Sequence, residues 1–135
     1  MVQIAGKYKL EKNENLVAYL TGLGIPEDKA KIADSVKPEV EIIIEGDNIT
    51  ITSNSGIGNS SSKFVVGKEV DDPMPMGVVL KSTTKLESDA IIVDSKDPNG
   101  VSGQRVYKFT SSGFVLTMTS NKNGVPSATR TYSRC

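Results

Sequence analysis

Histidine and tryptophan are absent from this chain of 135 residues, and its one cysteine, Cys135, is the last residue. Without histidine there is no imidazole to serve as general acid or base. With one thiol there is no intrachain disulfide and no protein-only Cys/His zinc site. Most of the common catalytic kits are thereby removed. A surplus of charge of one sign is lacking too, since sixteen Lys and Arg balance sixteen Asp and Glu. Polyanions are bound by clustered surplus cations, so no nucleic-acid partner is expected. No apolar run approaches the ~18 residues that cross a bilayer, and the first twenty residues hold no uninterrupted h-region of about seven apolar residues. Together with the lack of disulfides, this reads as a soluble cytoplasmic protein. Aromatic residues make up only 5% of the chain, so the interior is expected to be small or partly hollow.

What the chain does have is pattern. Residues 7–12 alternate, with Tyr8 and Leu10 on one side and Lys7, Lys9 and Glu11 on the other, as in a half-buried first strand. From Asn15 the period changes: Leu16, Tyr19, Leu20 and Leu23 recur at spacings of three and four, and Gly24 closes a short helix. Pro26 opens a second helix, with Glu27 and Asp28 in the first turn and a thin apolar stripe of Ile32, Ala33 and Val36. Neither helix reaches the ~12–15 residues that an isolated helix needs, so both must dock on something. Beyond Pro38 come short apolar or alternating runs divided by turn signals such as Glu45-Gly46-Asp47-Asn48, Asp97-Pro98-Asn99-Gly100 and Asn121-Lys122-Asn123-Gly124. About ten strands at ~8–12-residue spacing, with turns too tight to join parallel strands, predict an antiparallel sandwich or barrel capped by the two helices. The length suits a single domain over residues 1–135. The Ser/Gly-rich stretch 54–62 reads as a mobile hairpin or as a bulged strand.

Order and motifs together resemble the intracellular lipid-binding proteins, the fatty-acid-binding and cellular retinoid-binding family. The residues that carry this are Gly6-Lys7-Tyr8-Lys9-Leu10 with Asn15, the helix pair, Lys37-Pro38, Gly46-Asp47, Phe64-x-x-Gly67-x-Glu69, Lys81-Ser82-Thr83, Leu116-Thr117-Met118-Thr119 and Thr129-Arg130-Thr131-Tyr132. The resemblance spans essentially the whole chain. It departs at Leu16 and Val17, where an aromatic and an acid are usual, at Tyr8, where Trp is usual, and at Ile57, where a portal Phe is common. It implies an all-β fold: a ten-stranded antiparallel up-and-down barrel, a flattened clam, capped by a helix-turn-helix lid over an internal cavity that holds one or sometimes two lipids. It also implies a monomeric cytoplasmic carrier that is not an enzyme and uses no cofactor.

Arg130 and Tyr132 stand two apart on the last strand and share a face. Read alone, they suit a solvent-facing strand end; the resemblance implies that they point into the cavity and hold a ligand carboxylate. A guanidinium stays charged when buried and offers a planar fork, to which a phenolic hydroxyl adds a third hydrogen bond. On the strand at residues 104–110, an ungapped match puts Tyr107 at the family's second inward arginine position. Arg105 has the same parity and reads as a headgroup ligand or as a rim charge, and Arg134 reads as a rim residue. Inward wall candidates are Val40, Ile42, Ile49, Ile51, Ser53, Val115 and Thr117, the mixture of Ser and Ile favouring a wet cavity over a dry core. The entrance is assigned to Tyr19 and Val36 of the lid, Ile57 of the hairpin and Met76 of the Pro-Met loop. The expected ligand is a long-chain fatty acid or a similar hydrophobic carboxylate. A retinoid such as retinoic acid is the alternative, and a non-binding protein-interaction barrel a more distant one. Lys29, Lys31 and Lys37 form either a solvated helix face or a surface for transient contact with an anionic membrane.

Overall fold

The computed structural model describes residues 3–54, 59–73 and 79–135. Ten strands follow one another as β1 (Gly6–Glu14), β2 (Glu39–Glu45), β3 (Asn48–Asn54), β4 (Asn59–Val65), β5 (Glu69–Pro73), β6 (Val79–Leu86), β7 (Ala90–Lys96), β8 (Ser102–Thr110), β9 (Gly113–Ser120) and β10 (Ala128–Arg134). Two helices, α1 (Leu16–Gly22) and α2 (Glu27–Ser35), stand between β1 and β2. The strands form one sheet in the order β4-β3-β2-β1-β10-β9-β8-β7-β6-β5. Every ladder is antiparallel, as hairpin turns require. The two end strands, β4 and β5, meet without a ladder. An isolated bridge between Val66 and Thr84 closes the seam, with the Gly67 N–H on the Thr84 carbonyl at 2.9 Å. The result is the nearly closed barrel with a helical lid that the resemblance implied.

Along each strand, side chains alternate between the inside and solvent. Tyr8 and Leu10 are buried and Lys7, Lys9 and Glu11 exposed, as the alternation predicts. Five of the chain's few aromatics gather on the inner wall around Phe114. Its ring lies 4.8 Å from Tyr8, 5.0 Å from Phe109, 5.7 Å from Tyr107 and, stacked, 4.4 Å from Tyr132. Gly113 begins β9 because nothing larger fits: a Cβ there would stand 2.0 Å from the Tyr132 carbonyl oxygen. This aromatic end is sealed from below by Arg134. Its Nη2 donates to the Tyr8 hydroxyl at 2.7 Å, and that hydroxyl in turn donates to the Ile4 carbonyl at 2.6 Å.

Two details differ from the sequence reading, and a third lies partly outside the described residues. Val115 and Thr117 face outward, Val115 being 38% exposed, while Phe114, Leu116 and Met118 point into the barrel. The run Phe114-Val115-Leu116 is apolar in both parities, so alternation alone cannot orient it; the pairing of Phe114 with Tyr132 does. On α2 the residue packed inward is Ala30, and Ile32 is 50% exposed, because α2 packs on α1, where the close approach of two short helices is met by a small side chain. In the stretch read as a hairpin or a bulged strand, β4 begins at Asn59 and residues 55–58 lie outside the described residues.

One irregularity matters for the interior. Between Leu10 and Lys12 the β1–β10 register shifts: Leu10 pairs with Tyr132, Lys12 with Thr131 and Asn13 with Arg130. A bulge inserts one residue and reverses the parity that follows it. Asn13, which simple alternation would turn outward, therefore shares the inner face with Arg130.

Candidate functional site

The last strand carries Arg130 and Tyr132 to the inner wall, Arg130 opposite Leu116 of β9 and Tyr132 opposite Phe114. Arg130 is half-buried and its guanidinium carbon lies 5.8 Å from the Tyr132 ring centroid. Its Nε donates to Asn13 Oδ1 at 2.9 Å. The Asn13 amide nitrogen donates onward to Asp34 Oδ1 on α2 at 3.1 Å. Among the described residues no carboxylate pairs directly with Arg130. With Nε engaged, the two terminal nitrogens remain as the end-on fork that matches a carboxylate.

Tyr132 is buried, and burial pushes its hydroxyl above the ordinary tyrosine value, with Arg130 pulling it down and Tyr107 pushing it up. It stays a protonated donor at neutral pH. Tyr107 is also buried and stands level with Arg130, the two separated by Leu116 across the β8–β9 and β9–β10 ladders. Arg105 sits two residues nearer the lid, in the row of Met118 and Ala128. It points inward rather than to the rim. Its Nη2 donates to Ser95 Oγ at 3.4 Å, and its guanidinium carbon is 5.8 Å from the Phe64 ring centroid. It also acts electrostatically on Tyr19 of α1, whose hydroxyl burial pushes up and Arg105 pulls down.

Ile51 and Ser53 face inward from β3, both half-buried, opposite Ile42 and Val40. Val36 caps the end of α2 and is half-buried. Ile57 and Met76 lie outside the described residues. Ile51, Ser53, Arg105 and Arg130 all point in, and all keep accessible surface. The cluster around Phe114 occupies the end away from the lid, and the rest of the wall mixes apolar side chains such as Val40, Ile51 and Met118 with Ser53, Arg105 and Arg130.

Several inward residues were not singled out from sequence. Asn13 is hidden by the bulge, for which the sequence offers no local sign. Ser82, Thr84 and Ser95 are buried polar residues that read on their own as the solvent side of a strand. Among the described residues no group of three or more Cys, Asp or Glu is placed to hold a metal ion. No helix among them is long and apolar enough to cross a membrane. An open groove of about 600 Å³ on the outer face is lined by Glu69, Lys81, Asp94, Lys96 and Gln104. Its mixed charges describe a solvated surface, not the interior.

A ten-stranded antiparallel barrel, lidded by two helices and lined by an arginine and tyrosine on its last strand, defines a class of lipid-binding barrels. The family model of lipocalins and cytosolic fatty-acid binding proteins matches residues 2–112, and the chain belongs to that family. A fatty acid-binding protein of Tyrophagus putrescentiae is 37% identical over 135 residues, covering 99% of each chain. The fatty acid-binding protein from Drosophila melanogaster brain has a similar structure, with a TM-score of 0.85 and 29% identity over 96% of this chain and 98% of that one. So does a Schistosoma mansoni fatty acid binding protein in complex with arachidonic acid, with a TM-score of 0.87 and 26% identity over 97% of this chain and 95% of the other. The family is one of lipid-binding carriers.

Proposed function

We propose that this protein carries long-chain fatty acids, the carboxylate resting on Arg130 and Tyr132 and the tail running through the lid-side part of the barrel. One observation carries the reading: an inward guanidinium whose direct side-chain partner is a neutral amide, Asn13. A half-buried cation without an acid beside it calls for an anion. Relatives and structural neighbours named for fatty acid binding, one of them holding arachidonic acid, supply the class of anion.

The energetics divide the work. A tail of about fifteen methylenes gains up to ~12 kcal/mol on full burial at ~0.8 kcal/mol each, against an association cost of ~4–15 kcal/mol. A charge-assisted headgroup bond adds ~1.5–3 kcal/mol. The tail therefore sets most of the affinity, and Arg130 sets orientation and the preference for acids. Ile32 is half exposed on α2, but Lys31 is paired with Glu27 at 3.0 Å and Asp28 lies one turn before it, so the surface of α2 is of mixed charge and suits solvent better than an anionic bilayer. The carrier works as a cytoplasmic monomer and performs no chemistry on its cargo.

Native mass spectrometry of the purified protein tests the cargo. An added mass equal to one long-chain fatty acid, or two, is expected. An added retinoid mass, or a protein that stays bare after incubation with hexadecanoic acid, contradicts the proposal.

A further inference from the structure

A second part of the inner wall carries polar groups that an unsubstituted acyl chain does not use. Ser82 and Thr84 of β6 and Ser95 of β7 are buried, with 0%, 1% and 8% of their surface exposed. The Ser82 and Ser95 hydroxyls bond each other at 2.8 Å, and Arg105 of β8 donates to Ser95 at 3.4 Å. Thr84 Oγ1 is fully buried and has no hydrogen-bond partner among the described residues. Thr84 pairs with Val93, and Val93 with Arg105, so Thr84 and Arg105 lie in one row of the inner face, two strand spacings or about 10 Å apart at the backbone. Gly103, paired with Ser95, adds no side chain there. A buried hydroxyl with no partner is unfavourable unless something supplies one.

The geometry points to a second polar subsite, formed by Thr84, Ser95 and Arg105, that takes a hydroxyl carried along the acyl chain, so that the protein selects hydroxylated long-chain fatty acids over unsubstituted ones. This rests on the reading that Arg130 and Tyr132 hold the carboxylate. A hydroxyl both accepts and donates: it accepts from Arg105 and donates to Thr84 Oγ1. A second carboxylate only accepts, and brings a second charge to be desolvated. A methylene does neither and leaves Thr84 without a partner. Sites built to bond a hydroxyl reject the analogue lacking it strongly, because their own polar groups are then unpaired. The position of that hydroxyl follows from the register. Arg105 is one two-residue step nearer the lid than Arg130 and two strands away, or about 12 Å at the backbone. The hydroxyl therefore belongs in mid-chain, not beside the carboxylate.

The test is isothermal titration of the full chain with octadecanoic acid, a mid-chain hydroxyoctadecanoic acid and octadecanedioic acid. Wild-type protein is compared with Thr84→Val, Arg105→Met and Arg130→Ala. The wild type is expected to bind the hydroxy acid about fivefold tighter than octadecanoic acid, or more, and the dicarboxylic acid less well than the hydroxy acid. Thr84→Val, which keeps the volume and removes the hydroxyl, is expected to bring the ratio of hydroxy acid to plain acid close to one. If that variant fails to fold, Arg105→Met decides by the same ratio. A wild-type ratio near one, a ratio that survives either folded substitution, or a preference for the dicarboxylic acid overturns the subsite. Arg130→Ala reads the carboxylate site separately through plain octadecanoic acid. Unchanged affinity there overturns the carboxylate reading, whatever the hydroxyl ratio does.

Discussion

Asn13 and Arg130, which face each other across the β1–β10 ladder, are joined by a hydrogen bond of 2.9 Å from Arg130 Nε to Asn13 Oδ1. The same Asn13 amide donates to Asp34 at 3.1 Å, so the inward guanidinium is tied through one side chain to the lid helix α2. Replacing Asn13 by Ala is expected to cost about 1 kcal/mol of stability, as for one ordinary hydrogen bond, and to speed amide hydrogen exchange in α2. Exchange in α2 that matches the wild type would mean that Asn13 does not hold the lid.

Phe114 is the centre of the aromatic cluster, 2% exposed and in ring contact with Tyr8, Tyr107, Phe109 and Tyr132. Phe114→Ala removes those contacts at once and leaves a cavity that rigid strands cannot close. A loss of about 3–5 kcal/mol is expected in urea unfolding. A loss below about 1 kcal/mol would show that the barrel collapses onto the gap.

Burial raises the hydroxyl of Tyr132 above its ordinary value of 10.0, and those of Tyr8 and Tyr19 shift the same way. The folded state thus holds these protons more tightly than the unfolded chain does. Their contribution to stability is complete below the unfolded value and is lost as pH rises through the raised folded value. The melting temperature is expected to fall through the alkaline range, and Tyr132→Phe to soften part of that fall. A tyrosinate absorbance titration in which Tyr8, Tyr19 and Tyr132 ionise at the ordinary value, none of them above it, would contradict this.

Period and spacing carried most of the architecture. The alternation of residues 7–12 placed Tyr8 and Leu10 inside, and the two-residue step from Arg130 to Tyr132 put both on one face, because strand geometry leaves no other choice. Asn13 was not legible, since a one-residue bulge at Leu10/Lys12 reverses parity without any composition cue. Val115 reads as inward from sequence because Phe114, Val115 and Leu116 are all apolar, and only pairing with β10 decides between them. Ser82, Thr84 and Ser95 escaped notice for the opposite reason. Polar strand residues face solvent in most sheets, and only a wall with something polar to meet turns them in.

Arg130 is proposed as the cation that recognises the ligand's carboxylate. That role is tested most directly by titrating wild-type protein and Arg130→Ala with hexadecanoic acid and with hexadecanol, which share a tail and differ in headgroup charge. The wild type is expected to prefer the acid by about tenfold, equivalent to ~1.4 kcal/mol and within the range of one charge-assisted bond. Arg130→Ala is expected to bind acid and alcohol alike while keeping its fold. A variant that still prefers the acid as strongly as the wild type would place the carboxylate elsewhere.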